Sequence, residues 1–130
     1  MSKVIKISSF LVVLVSLFLL ASCAPKNVEK AKERLEGMGF NCEVATDEEL
    51  EGVNAEIGFT IKGCVYGFNE DSDAKIELYL MGSKADAQKL AEYLEAELEK
   101  EEPNIQIVII QRGKWVARST DEQAAQKAIK

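Results

Sequence analysis

Apolar and polar positions follow two rhythms along this chain, and each rhythm predicts its own elements. Val28, Ala31, Leu35 and Met38 recur at i, i+3, i+7 and i+10, the spacing that lines one face of a helix. Asn27 stands where an N-cap belongs. Gly39 and Phe40 suit a left-handed C′ residue and the hydrophobic contact after it. "FNCEVAT" then alternates, with Phe40, Cys42 and Val44 on one face. "DEELEGVN" is polar and acidic, a loop or a short helical turn. A second strand is expected from about Glu56 to Phe68. In it Ile57, Phe59 and Ile61 share one face, and Cys64, Tyr66 and Phe68 take over on the other. Gly63 sits at the change and marks a bulge.

"NEDSD" reads as a turn. "KIELYLM" alternates cleanly, with Ile76, Leu78 and Leu80 inward and Lys75, Glu77 and Tyr79 outward. Ser83, with Asp86 three residues on, caps the main helix. The buried stripe of that helix is Ala87, Leu90, Ala91, Leu94 and Leu98, and Pro103 bars its continuation. "IQIVII" is apolar on both faces, which suits a central strand. Gly113 turns into "KWVAR", the last strand, whose Trp115 is expected to pack against helices. Thr120 and Gln123 form a second capping box, opening a short helix that contains Ala124, Ala125, Ala128 and Ile129. The order is α-β-β-β-α-β-β-α. Short connections favour antiparallel pairing. The expected class is α+β: a two-layer domain with a mostly antiparallel sheet of about five strands and helices on one face.

Ahead of this domain lies a segment of another kind. Lys3 and Lys6 are the only charges before Lys26, and Ile7 to Ala21 is almost wholly apolar. A short basic head, an apolar run of about 7 to 15 residues and a small-residue exit describe a secretory signal. A spanning helix wants roughly 20 apolar residues, and the uncharged stretch from Ile7 to Pro25 is close enough to keep an uncleaved anchor as the alternative. The cysteine separates the two readings. Leu20-Ala21-Ser22-Cys23 resembles the lipobox of bacterial lipoproteins at all four positions. The resemblance implies a diacylglyceryl group on the Cys23 sulfur. It also implies recognition of Leu20, Ala21 and Ser22 by a dedicated signal peptidase, which cuts just before the cysteine. It covers the first 23 residues only. The expected organisation is a removed signal peptide at 1–22, a lipidated cysteine with a short tether at 23–26, and one small α+β domain at 27–130. The expected location is the exported side of a cell membrane, held by lipid.

Without residues 1–22 the chain has 108 residues and a formal charge of −8. That length suits one small core and not two lobes around a cleft. The acidity argues against a nucleic-acid partner, because phosphate contacts need clustered Lys and Arg. With Cys23 acylated, Cys42 and Cys64 remain. An exported protein can oxidise such a pair, so a disulfide between them is expected, with two buried free thiols as the alternative.

Groups that carry chemistry are few. The chain has no histidine, which removes Ser-His-Asp and Cys-His catalysis and His-ligated zinc. It has no C-x-x-C, G-x-x-x-x-G-K-[ST] or G-x-G-x-x-G. A calcium loop starting at Asp71 or Asp73 needs Gly at its sixth place and Glu at its twelfth. The chain offers Ile76 and Gly82, or Leu78 and Lys84. Glu95, Glu97, Glu99, Glu101 and Glu102 crowd the end of the main helix, where acids oppose its dipole; a solvated charged face explains them. No catalytic residue, cofactor site or metal ligand is expected. The sequence therefore reads as a membrane-anchored exported lipoprotein whose small non-enzymatic domain acts by contact with an envelope or surface component. The alternative is a lipoprotein module that binds a small ligand or metal.

Overall fold

The computed structural model describes residues 24–100 and 106–130. Its elements are α1 (Val28–Gly37), β1 (Asn41–Val44), α2 (Asp47–Ile57), β2 (Ile61–Phe68), β3 (Lys75–Met81), α3 (Lys84–Lys100), β4 (Val108–Arg112), β5 (Trp115–Ser119) and α4 (Glu122–Ala128). The class is α+β. Five strands form one sheet in the order β1-β2-β3-β5-β4, and every neighbouring pair is antiparallel.

The local signals act as their chemistry requires. The Asn27 side chain accepts from the Lys30 N–H at 2.9 Å. At the other end of α1, Gly39 adopts φ 96°. Its N–H and that of Phe40 donate to Glu36 and Leu35 at 3.1 Å each. These two bonds make a Schellman motif and satisfy carbonyls that the helix leaves unpaired. Ser83 Oγ accepts from the Asp86 N–H at 3.1 Å and starts α3. The β2–β3 turn closes on Asn69, whose Oδ1 accepts from the N–H groups of Asp71 and Ser72. A register shift between Ile61 and Gly63 is the expected bulge.

The acidic segment, expected as a loop or short turn, is the eleven-residue helix α2. Thr46 and Glu49 form a reciprocal capping box at its start, and Gly58 closes it at φ 78°. Ile57 and Phe59 thus belong to this helix and the loop after it, and β2 begins only at Ile61. At α4 the cap is Asp121 and not Thr120: Asp121 Oδ1 accepts from the Ala124 N–H at 3.1 Å. Thr120 Oγ1 instead accepts from the Lys75 N–H at 3.0 Å and ties the two chain segments together.

The largest correction concerns the layers. Helices were expected on one face of the sheet, and they cover both. Consecutive residues of a strand point to opposite faces. Trp115 and Ala117 pack with Ala31 and Leu35 of α1 and with Ala125 and Ala128 of α4. Val116, between them, packs with Ala87 and Leu90 of α3, where Leu50 and Val53 of α2 also gather. Phe59 joins this second layer to α3 through an edge-to-face contact with Tyr93, ring centroids 5.7 Å apart. The second correction follows from the first. "IQIVII" was expected to be a central strand, yet β4 is an edge. It is apolar on both faces because helices lie over both: Val108 and Ile110 meet the first cluster and Ile109 the second.

Candidate functional site

α2 and α3 cover only part of the second face. The rest is an open shelf whose side chains stand in rows across the strands. Register places Glu43 opposite Tyr66, Tyr66 opposite Glu77, Glu77 opposite Arg118, and Arg118 opposite Ile109. A second row sets Asn41 opposite Phe68 and Phe68 opposite Lys75. Directly opposed side chains on one face are close enough to interact. A shallow cavity of about 500 Å³ lies over Asn41, Glu43, Tyr66, Phe68, Lys75 and Glu77.

Glu77 is the centre of the row. Its Oε1 lies 3.6 Å from Arg118 Nη1, with each side chain about a third exposed. Its Oε2 accepts a hydrogen bond from the Tyr79 hydroxyl. Burial, then the Glu77 charge, pushes the Tyr79 hydroxyl well above the ordinary phenol range. Burial likewise raises Tyr66, with Cys64 beside it as the next cause. The Cys64 thiol, 1 % exposed, is pushed up to about 12, first by burial and then by Glu77 and Glu49, against a lowering by Tyr66. A thiol that stays protonated is a poor nucleophile. The shelf is thus a surface with two aromatic rings and fixed charges of both signs, and its one thiol is closed to chemistry. Phe68 is 37 % exposed at its rim.

The expected disulfide is absent. Cys42 and Cys64 are free thiols, and the register explains why. Cys42 lies opposite Gly67, three residues beyond Cys64 along β2, a displacement of about 10 Å. Cys42 packs with the first cluster, while Cys64 shares the second face with Tyr79. Two thiols on opposite faces of a sheet cannot meet. Burial and Glu36 raise the Cys42 thiol, and Lys32 opposes them.

Leu20, Ala21, Ser22 and Cys23 lie outside the described residues, as do Glu101 and Glu102. Glu97 at the end of α3 pairs with Lys100 at 3.3 Å. Among the described residues no group of three Cys, Asp or Glu side chains could hold a metal ion, and no helix is long and apolar enough to cross a membrane.

The sequence pattern did not single out the Glu43–Tyr66–Glu77–Arg118 row. Its signal was the outward parity of Glu77 together with the switch to Cys64, Tyr66 and Phe68 after Gly63. Only the strand order brings those strands side by side. No protein-family model matches the chain, and neither a curated protein nor a solved structure matches it.

Proposed function

We propose that the chain is an exported lipoprotein, anchored through Cys23, whose domain works by contact and not by catalysis, with the open shelf as the contact surface. The lipobox supports the anchor. The observation that carries the contact reading is Phe68, a large ring held open to solvent beside Tyr66 and the Glu77–Arg118 pair. Aromatic rings in a partly polar, concave setting are the usual anchors of protein contacts. A protein component of the envelope or surface is the partner this reading requires.

A photo-crosslinking residue placed at Glu43, on intact cells, tests it against the same residue at Lys89 on α3. A discrete protein adduct from position 43, lost when Phe68 is changed to Ser, is the expected result. Equal adducts from positions 43 and 89 contradict it.

The cavity over the same shelf favours a second reading, a lipoprotein that carries a small ligand there. Native mass measurement of the isolated protein separates the two: a bound mass that leaves with Phe68→Ser supports the ligand, and its absence together with the crosslink supports the contact.

A further inference from the structure

Five cations stand at one end of the sheet, the end at which Ala24 and Pro25 are packed. Lys62 is the extra residue of the β2 bulge, between Ile61 opposite Met81 and Gly63 opposite Leu80. Its Cε approaches Gly82, where a Cβ would sit 3.4 Å away. Lys84 opens α3 two residues later. Arg112 and Lys114 flank the β4–β5 turn, and the Lys114 carbonyl accepts from the Met81 N–H at 2.8 Å. Lys26 follows Pro25, whose carbonyl is bonded to Trp115 beside that turn. All five side chains are exposed. Acids stand at this end as well: Asp86 lies near Gly82, and Asp47, Glu48 and Glu49 open α2 just after Ala45, whose N–H donates to the Cys64 carbonyl two residues from Lys62. The opposite end is acidic, with Glu70, Asp71 and Asp73 in the β2–β3 turn and Asp121 and Glu122 beside it at the start of α4.

The chain cannot swing away from this end. Pro25 is buried and Ala24 packs against the core. Ala24, the residue that follows Cys23 in the sequence, is thus seated on the domain at this end. We propose that this basic end docks on an anionic phospholipid surface. The proposal rests on the lipoprotein reading above and adds to it an orientation and a lipid class. Juxtamembrane Lys and Arg are attracted to such a surface by an amount that corresponds to about fivefold in partitioning for each residue. The acidic far end is repelled in any orientation that turns it toward the surface, because that field reaches only about a Debye length. The shelf residues Asn41, Phe68 and Lys75 lie at that far end, opposite the anchor.

The test uses the full processed protein in vesicles of phosphatidylglycerol and phosphatidylcholine, compared with phosphatidylcholine alone. A water-soluble amine reagent reads each lysine by peptide mass. Lys62, Lys84 and Lys114 are expected to react about fivefold more slowly on the anionic vesicles only, with Lys75 and Lys100 unchanged. The Lys62→Glu, Lys114→Glu variant is expected to return Lys84 to its reactivity on neutral lipid. Equal slowing at Lys75 and Lys114, or none at either, overturns the docking. The same digest reports whether the Cys23 peptide carries fatty acid. Fatty acid without lysine protection overturns the docking and leaves the anchor standing, and a Cys23 peptide without fatty acid overturns the anchor and the docking together.

Discussion

The indole N–H of Trp115 donates to the carbonyl of Pro25 at 2.8 Å, a buried hydrogen bond that spans 90 residues of sequence. Trp115 is 2 % exposed, at the heart of the first cluster. The segment expected to be a short tether is therefore part of the packed structure from Ala24 onward. Trp115→Phe keeps most of the ring and removes the donor, leaving a buried carbonyl without its partner. The expected cost is about 1–3 kcal/mol in denaturant unfolding. Faster amide exchange at Lys26 and Val28 is expected with it. Unchanged exchange there would show that some other contact holds the segment.

At Gly63 the start of α1 lies directly against the sheet. A Cβ on it would lie 2.3 Å from Val28 Cγ1, well inside contact distance. Gly63→Ala is expected to destabilise by about 1–3 kcal/mol through overpacking. Val28→Ala in the same chain removes the offending methyl, so the double variant is expected to be more stable than the two single costs predict when added. Strict additivity in a double-mutant cycle would place the strain elsewhere.

The two thiols are expected to behave differently. In the folded protein a small alkylating reagent at mildly alkaline pH modifies half-exposed Cys42 and leaves buried Cys64 untouched. The pH dependence of stability follows from the same burial. The folded Cys64 thiol titrates at about 12, above its ordinary value of 9.0. The unfolded state therefore releases its proton first as pH rises. The contribution of Cys64 is fully present below about 9 and is lost between about 9 and about 12. Tyr66 and Tyr79 are raised as well and add loss in the same direction at higher pH. Cys64→Ala is expected to flatten the early part of this alkaline decline in denaturant midpoints taken across that range. An equally steep decline in the variant would assign it to other groups.

Most local structure was legible in the sequence, because caps, bulge and turns depend on residues within a few positions of one another. Asn27, Gly39, Gly63 and Ser83 each act where they were expected to. The α2 helix was missed, although Thr46 and Glu49 spell a capping box and Gly58 a stop. Ile57, Phe59 and Ile61 fit a period of two as well as the end of a helix, and that ambiguity hid it. The two-sided burial of the sheet was harder to see. Tyr79 and Val116 are outward by parity, and nothing local says that a helix will lie over them. The same limit applies to the cysteines and to the shelf. Cys42 and Cys64 are an even pair by count, but their faces depend on register between β1 and β2. Glu77 and Arg118 are 41 residues apart by number and meet only because β3 pairs with β5.

The central claim is that Cys23 carries the lipid that holds this domain at a membrane. Metabolic labelling with a fatty acid, followed by mass measurement of the processed protein and of the Cys23→Ala variant, tests it most directly. The account predicts a labelled chain beginning at Cys23, and for the variant an unlabelled, uncut and mislocalised precursor. A variant still cut between Ser22 and residue 23 and still carrying fatty acid would contradict it.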